Sequence, residues 1–169
     1  MDSLIRLVAD YALYAVALGA GVSWLLTSRR NKVPYAAAAV IALVLVAIAV
    51  KGVGALWVDP RPFVVDHTTP LIAHNADNGF PSDHTALATA IAVVVFAWHR
   101  RTGAALLALA VLLGVARVVT QVHHVPDIVT GVALGLVAAA LGTLAARRIP
   151  WQTMGWARSA AGVGRQPAA

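Results

Sequence analysis

The sequence contains no cysteine and no glutamate. The first absence rules out a disulfide framework, a thiolate metal site and a thiol nucleophile. Charge is scarce too: 12% of the 169 residues are charged, against 60% hydrophobic. A soluble domain carries about 25% charged residues. One domain of this length has too little interior to hide so much apolar surface, so lipid is the expected solvent for the rest. The net charge of +6 raises nucleic acid as a partner. The distribution argues against it, because the basic residues sit in short segments between apolar runs.

What is present is a series of apolar stretches near the ~20 residues that cross a bilayer. They predict an all-α integral membrane bundle of five spanning helices: Leu4–Leu26, Tyr35–Trp57, Ser82–Trp98, Gly103–Val122 and Ile128–Ala146. Residues 58–81 form a long loop. The membrane domain covers 1–148, and 149–169 read as an interfacial segment with a disordered tail. Ser82, following Pro81, is the expected N-cap of the third helix. Gly19, Gly21, Gly52, Gly54 and the many alanines are expected to permit close helix contacts.

Nine of the thirteen basic residues fall in three segments: Arg29, Arg30 and Lys32; Arg100 and Arg101; Arg147, Arg148, Arg158 and Arg165. With five crossings these segments share one side, which the positive-inside rule makes cytoplasmic. All seven acids, Asp2, Asp10, Asp59, Asp66, Asp77, Asp83 and Asp127, fall toward the other side. The N-terminus and the long loop are then outside and the C-terminus inside. Trp24, Trp57, Trp98 and Trp151 lie near helix ends, as an aromatic belt does. His99, among the cytoplasmic basic residues, reads as a solvated interfacial group.

The basic residues outside that set are Arg6, Lys51, Arg61 and Arg117. Arg6 sits four residues before Asp10 and reads as its helical ion-pair partner. The others accompany polar clusters that reach the same face. These are Asp59-Pro-Arg-Pro-Phe63 in the loop, Phe80-Pro-Ser-Asp-His84 opening the third helix, and Arg117 through His123 to Asp127 between the fourth and fifth. Two arginines offer planar donor forks suited to phosphate oxygens. Ser82 and the free N–H groups of the first helical turn, from Asp83 onward, form an anion site. An aspartate four residues after His123 can hold one imidazole nitrogen and leave the other to attack. Such an inventory suits phosphoryl transfer, which rests on positioning and charge stabilisation. On one straight helix, Arg117 and His123 would point about 120° apart, so the helix is expected to end near Gln121, ahead of Pro126.

At these residues the chain resembles the type-2 phosphatidic-acid-phosphatase family. Its blocks are Lys, six residues, Arg-Pro; Pro-Ser-x-His; and Ser-Arg, five residues, His, three residues, Asp. Arg61-Pro62, Pro81-Ser82-Asp83-His84, and Arg117, His123 and Asp127 match them, with Gly131 where the family often has glycine. Pro60–Val64, Ala76–His84 and the first helix are similar to the bacitracin-resistance branch, the undecaprenyl-pyrophosphate phosphatases. The likeness covers roughly residues 1–147. Three departures stand out. Nine residues rather than six separate Lys51 from Arg61, Ala116 replaces a serine, and Gln121 replaces a common glycine.

The resemblance implies a metal-independent enzyme of the bacterial cytoplasmic membrane, without cofactor, that cleaves a lipid phosphate. Undecaprenyl pyrophosphate, recycled in cell-wall synthesis, is the first substrate it suggests; phosphatidic acid and phosphatidylglycerol phosphate are the alternatives. His123 would form a phosphohistidine and Asp127 would orient it. His84 would protonate the leaving group and then activate water. Arg61, Ser82, Arg117 and the Asp83 backbone would bind phosphate, with Lys51 a further candidate despite its spacing.

Other readings compete. His123 and Asp127 are four residues apart and could ligate a metal, with His67, His74, Asp66 and Asp77 as scattered further donors. A small transporter or proton relay would use intramembrane His, Asp and Arg. That reading needs polar groups along the depth of the bundle, whereas here, Lys51 apart, they gather at one face. A purely structural membrane module does not call for three phosphate-suited blocks at one face. His124 reads as a structural or rim residue. His67, His74, Asn75 and Asn78 line the long loop, where polarity is expected and substrate contact is open.

Overall fold

The computed structural model describes residues 2–151; the tail expected from Ser159 onward lies outside them. The chain forms α1 (Asp2–Leu26), α2 (Arg29–Leu56), a short α3 (Pro62–Val65), α4 (Asp83–Trp98), α5 (Arg100–Val119) and α6 (Val125–Arg148). Helices α1, α2, α5 and α6 are long and apolar enough to cross a membrane. At 16 residues α4 is shorter. It lies at the centre, packed against α1, α2, α5 and α6. The protein is an all-α, multi-pass membrane bundle.

Its interior inverts the size order of a soluble core. The buried side chains are mostly alanines, such as Ala38, Ala42, Ala86, Ala88, Ala90, Ala92, Ala138 and Ala139, while Tyr14 and Leu18 are each 70% exposed. Lipid solvates large apolar groups as well as a protein core does. Close packing between small residues is what holds membrane helices together. Of the four glycines expected to permit close contacts, Gly19 and Gly54 do, a Cβ on Gly19 lying 2.9 Å from the Leu106 side chain, and Gly21 and Gly52 do not. Gly21 and Gly52 face open space, whereas a Cβ on Gly131 would lie 2.6 Å from the Ser82 carbonyl oxygen and one on Gly135 2.5 Å from that of Ala86. Both seat α6 on α4. Gly54 does make a close contact, 2.9 Å from the Phe80 carbonyl oxygen.

Several helix ends differ from expectation by a few residues, the start of α2 by the most. Helix α2 begins at Arg29 and carries Pro34 inside it. Pro34 lies past the first turn, so the helix forgoes one backbone hydrogen bond there. Helix α5 stops at Val119, in a Schellman turn. Val122 N–H donates to Arg117 O (3.2 Å) and Gln121 N–H to Val118 O (2.9 Å). Gln121 takes the left-handed position at φ 62°. Val122 packs in one cluster with Ala116, the apolar contact typical of this cap. His99 is not simply solvated: its Nε2 lies 2.6 Å from Thr27 Oγ1 and its ring rests against Tyr35.

Gly131→Ala should force α6 away from Ser82 and lower the melting temperature in detergent. Overpacking of this kind costs about 1–3 kcal/mol. Gly21→Ala, which meets nothing, should be neutral or stabilising by up to about 1 kcal/mol. Equal melting temperatures for the two variants would contradict this packing.

Candidate active site

The Schellman turn resolves the divergence of Arg117 and His123. With α5 ended, the chain folds back and His123 N–H also donates to Arg117 O, at 3.3 Å. The two side chains then meet: Arg117 Nη2 is 3.5 Å from His123 Nε2. Arg61 arrives from the loop ahead of α3, with Nη1 at 3.4 Å from the same nitrogen. All three residues are at most 5% exposed. A guanidinium can only donate, so Nε2 of His123 carries the lone pair and its proton sits on Nδ1. Nδ1 faces Asp127 Oδ2 at 3.4 Å. This is the tautomer in which Nε2 can attack.

The arginines are held by opposing partners. Arg61 donates from Nε to Asp77 Oδ1 (2.8 Å) and from Nη1 to Val122 O (2.7 Å). Burial alone would raise the Asp77 carboxyl, but the Arg61 hydrogen bond and charge outweigh it and hold it below the usual aspartate range. Arg117 donates from Nη2 to His74 Nε2 at 2.9 Å. Its Nε is buried without a hydrogen-bond partner among the described residues, as is Asp127 Oδ1. A buried, unpaired donor costs about 1–3 kcal/mol, more when charged, and an anion beside it removes that cost.

Helix α6 positions Asp127 in its first turn, where Oδ2 accepts the His124 N–H at 2.8 Å. The Ser82 N–H donates to the Asp127 carbonyl at 3.2 Å, which fastens the start of α4 to the start of α6. Ser82 is fully buried and stands at the N-cap, as expected. Its hydroxyl pairs with Thr85 Oγ1 (3.1 Å) rather than with a backbone N–H. Asp83 begins α4, within electrostatic range of Arg117. Its carboxylate takes both the His84 N–H and the His84 Nδ1–H, each at 2.7 Å. That fixes the His84 proton on Nδ1 and leaves Nε2 as its outward nitrogen. The His84 ring is one-third exposed and makes no hydrogen bond to His123. Lys51 is exposed on α2 and forms no hydrogen bond or ion pair among the described residues.

Several groups join the site that spacing did not single out. Asn78 uses all its side-chain valences: Oδ1 accepts from Asp59 N and Phe80 N, and Nδ2 donates to Gly54 O and Trp57 O. It ties the end of α2 to the Arg61 segment and to the approach to Ser82. His124 pairs with Asp59 through Nδ1 at 2.9 Å. Asp59, His124 and Asp127 offer possible metal-ligand atoms within 4.8 Å of one another, a group that shares only Asp127 with the donors considered in the sequence. These side chains already bond one another or adjacent backbone.

Comparison with known proteins bears on the family and the fold. The chain is 36% identical over 140 residues to the bacitracin transport permease protein BcrC of Bacillus licheniformis, covering 82% of this chain and 68% of that protein. It is 32% identical over 139 residues to the undecaprenyl-diphosphatase BcrC of Bacillus subtilis, covering 81% and 70%. The crystal structure of Aquifex aeolicus LpxE has the same fold, with a TM-score of 0.60 over 83% of this chain and 92% of that one, at 21% identity. The PAP2 superfamily model matches residues 32–151. Arg61, the Ser82–His84 turn and the Arg117–Asp127 segment all lie within that match, and the chain belongs to the PAP2 superfamily.

Proposed function

We propose that the protein hydrolyses undecaprenyl pyrophosphate to undecaprenyl phosphate and inorganic phosphate through a phosphohistidine on His123. The observation that carries this reading is the lone pair of a buried imidazole, aimed between two guanidinium groups, one with an unpartnered Nε. The terminal phosphoryl group enters between Arg61 and Arg117. His123 Nε2 attacks phosphorus and the bond to the bridging oxygen breaks. His84, at the start of α4, protonates that oxygen. The leaving lipid phosphate departs, and His84 then takes a proton from the water that hydrolyses the phosphohistidine. Asp127 stabilises the Nδ1–H of His123 throughout. Ser82 and the Asp83 N–H support the phosphate from below, and Lys51 is the least supported contributor. The similarity to a protein named undecaprenyl-diphosphatase favours the diphosphate over phosphatidic acid or phosphatidylglycerol phosphate.

The decisive assay is phosphate release in detergent from these three lipids, with a metal chelator present. His123→Ala should abolish both turnover and the covalent intermediate. His84→Ala should lose about 10²–10⁴-fold, the usual worth of a general acid, and a better leaving group should restore part of it. If chelation stops turnover and zinc or magnesium restores it, Asp59, His124 and Asp127 become metal ligands and the nucleophile a bound water.

The pH dependence follows from the surroundings of His123. Burial, joined by the charges of Arg117 and Arg61, outweighs the Asp127 hydrogen bond and holds the imidazole below its ordinary pKa of 6.5. The neutral form attacks, so activity should persist as pH falls through 6.5 and fail only lower. An acid limb of kcat/KM above the ordinary imidazole value would contradict this.

We further infer that the site faces the outside of the cytoplasmic membrane and that the C-terminus is inside. The basic segments at the far end of the bundle support this. Reporter fusions at Lys32 and Arg101 should read cytoplasmic, and one at Thr69 external. The opposite pattern would make the enzyme act on the inner leaflet.

A further inference from the structure

His74 occupies a position that neither the family blocks nor the mechanism above uses. Ile72, 6% exposed, anchors the loop among Ala9, Ala116 and Val122, and the Leu71 N–H donates to Thr120 O. Two residues later the His74 ring lies over the site, its edge toward the His123 ring at 6.4 Å between centroids. Its Nε2 accepts from Arg117 Nη2 at 2.9 Å, so that nitrogen bears no proton. The proton is on Nδ1, directed at the Asn75 carbonyl oxygen at 3.3 Å and 4.0 Å from Asp77 Oδ1. In this state His74 is a neutral acceptor lying on the donor that a phosphate oxygen would use.

An entering phosphate takes that donor away. The His74 lone pair would then face an anionic oxygen, which is repulsive unless Nε2 gains a proton. Gaining one converts His74 into a donor and a cation. Its surroundings oppose that charge before substrate arrives. Burial, then Arg61 and Arg117, push its pKa down against the pull of Asn75 and Asp77. A bound diphosphate reverses the balance, because it neutralises both arginines and carries about one negative charge more than a monophosphate.

We propose that His74 determines specificity for diphosphate over monophosphate lipids, by becoming a third cation in the site that the second phosphate group requires. The inference rests on the phosphatase reading of the same site. The groups that face His74 are Arg117 from α5, Arg61 and Asp77 from the long loop, and His123 from the turn between α5 and α6. Only His74 changes charge on binding: the arginines remain cations, Asp77 remains ionised through Arg61, and His123 must remain neutral to attack.

The test compares farnesyl diphosphate with farnesyl monophosphate on the full chain in detergent, for wild type and His74→Gln. Glutamine can still accept from Arg117 but cannot become charged. The diphosphate kcat/KM should fall on the order of 10–100-fold, the worth of one charged hydrogen bond, while the monophosphate value stays within about twofold. From about pH 6 to about pH 9, the wild-type ratio of diphosphate to monophosphate kcat/KM should fall as proton uptake becomes harder, and the variant ratio should be flat. The monophosphate rate monitors the folded fraction within each sample. An equal loss with both substrates would make His74 structural and overturn the proposal, as would an unchanged ratio. If the wild type cleaves only the diphosphate, the comparison is made with the inhibition constant of the monophosphate, the lipid product, which His74→Gln should leave within about twofold. A parallel loss there overturns the proposal. If the wild type cleaves neither compound, the phosphatase reading fails and takes the proposal with it. If it cleaves both and only the ratio test fails, that reading stands and the role of His74 does not.

Discussion

Two guanidinium groups are buried against one imidazole nitrogen, and each repels the other. Their desolvation must be offset by groups that a bilayer does not supply. Asp77, the Val122 carbonyl and the Asn78 carbonyl take the donors of Arg61. His74 takes one donor of Arg117, and Asp83 lies within range of its charge. The compensation is uneven. Arg61 is tied on several sides, while Arg117 keeps an unpartnered Nε. A site held this way is preorganised for a trivalent anion but not neutralised in advance, which is the condition for electrostatic stabilisation of phosphoryl transfer.

The membrane setting determines how that site is held. Without a hydrophobic drive between helices, position comes from close contact of small residues and from hydrogen bonds. Helix α4 can be short and alanine-rich because protein rather than lipid surrounds most of it. Gly131 and Gly135 bring α6 against its backbone. One backbone hydrogen bond, Ser82 N–H to Asp127 O, then fixes the start of α4 relative to α6. The Ser82 turn and the Asp127 carboxylate therefore share a reference point. The size of the glycines at the α4–α6 seam bears on chemistry as much as on stability.

The sequence made the bundle legible, because long apolar runs with polar punctuation have few other solutions. It also made Arg61, Arg117, His123 and Asp127 legible, since they stand in polar blocks that reach one face of the bundle. The supporting shell was not. Asp77, Asn78 and His74 lie in a loop without periodicity, where a polar residue is the default and its direction is set by tertiary contacts. Gly19 and Gly54 met the expected close contacts but Gly21 and Gly52 did not, because apolar composition does not reveal which helix face meets protein and which meets lipid. Gly21 and Gly131 look alike in sequence, yet only Gly131 has a backbone behind it. The start of α2 was expected at Tyr35, whereas the helix begins at Arg29 and runs through Pro34. Lys51 matched a residue type and missed the spacing, and nothing among the described residues ties it to the arginines.

Gln121 links these levels. Its left-handed backbone costs a residue with a side chain about 1–2 kcal/mol, which glycine avoids. The turn it closes returns His123 to Arg117 and also receives the long loop. The Phe63 N–H donates to Gln121 O, Leu71 N–H to Thr120 O and Arg61 Nη1 to Val122 O. Glutamine adds one bond that glycine cannot: Thr68 Oγ1 donates to its Oε1 at 3.0 Å. That bond is exposed and modest, so it offsets only part of the strain. What it contributes is alignment. The segment carrying Arg61 and the segment carrying His123 are far apart in the chain, and their hydrogen bonds converge on three consecutive residues, Thr120, Gln121 and Val122. Through this one turn, His123, Arg117 and Arg61 are tied to the same short stretch of backbone, so their mutual distances depend on few contacts.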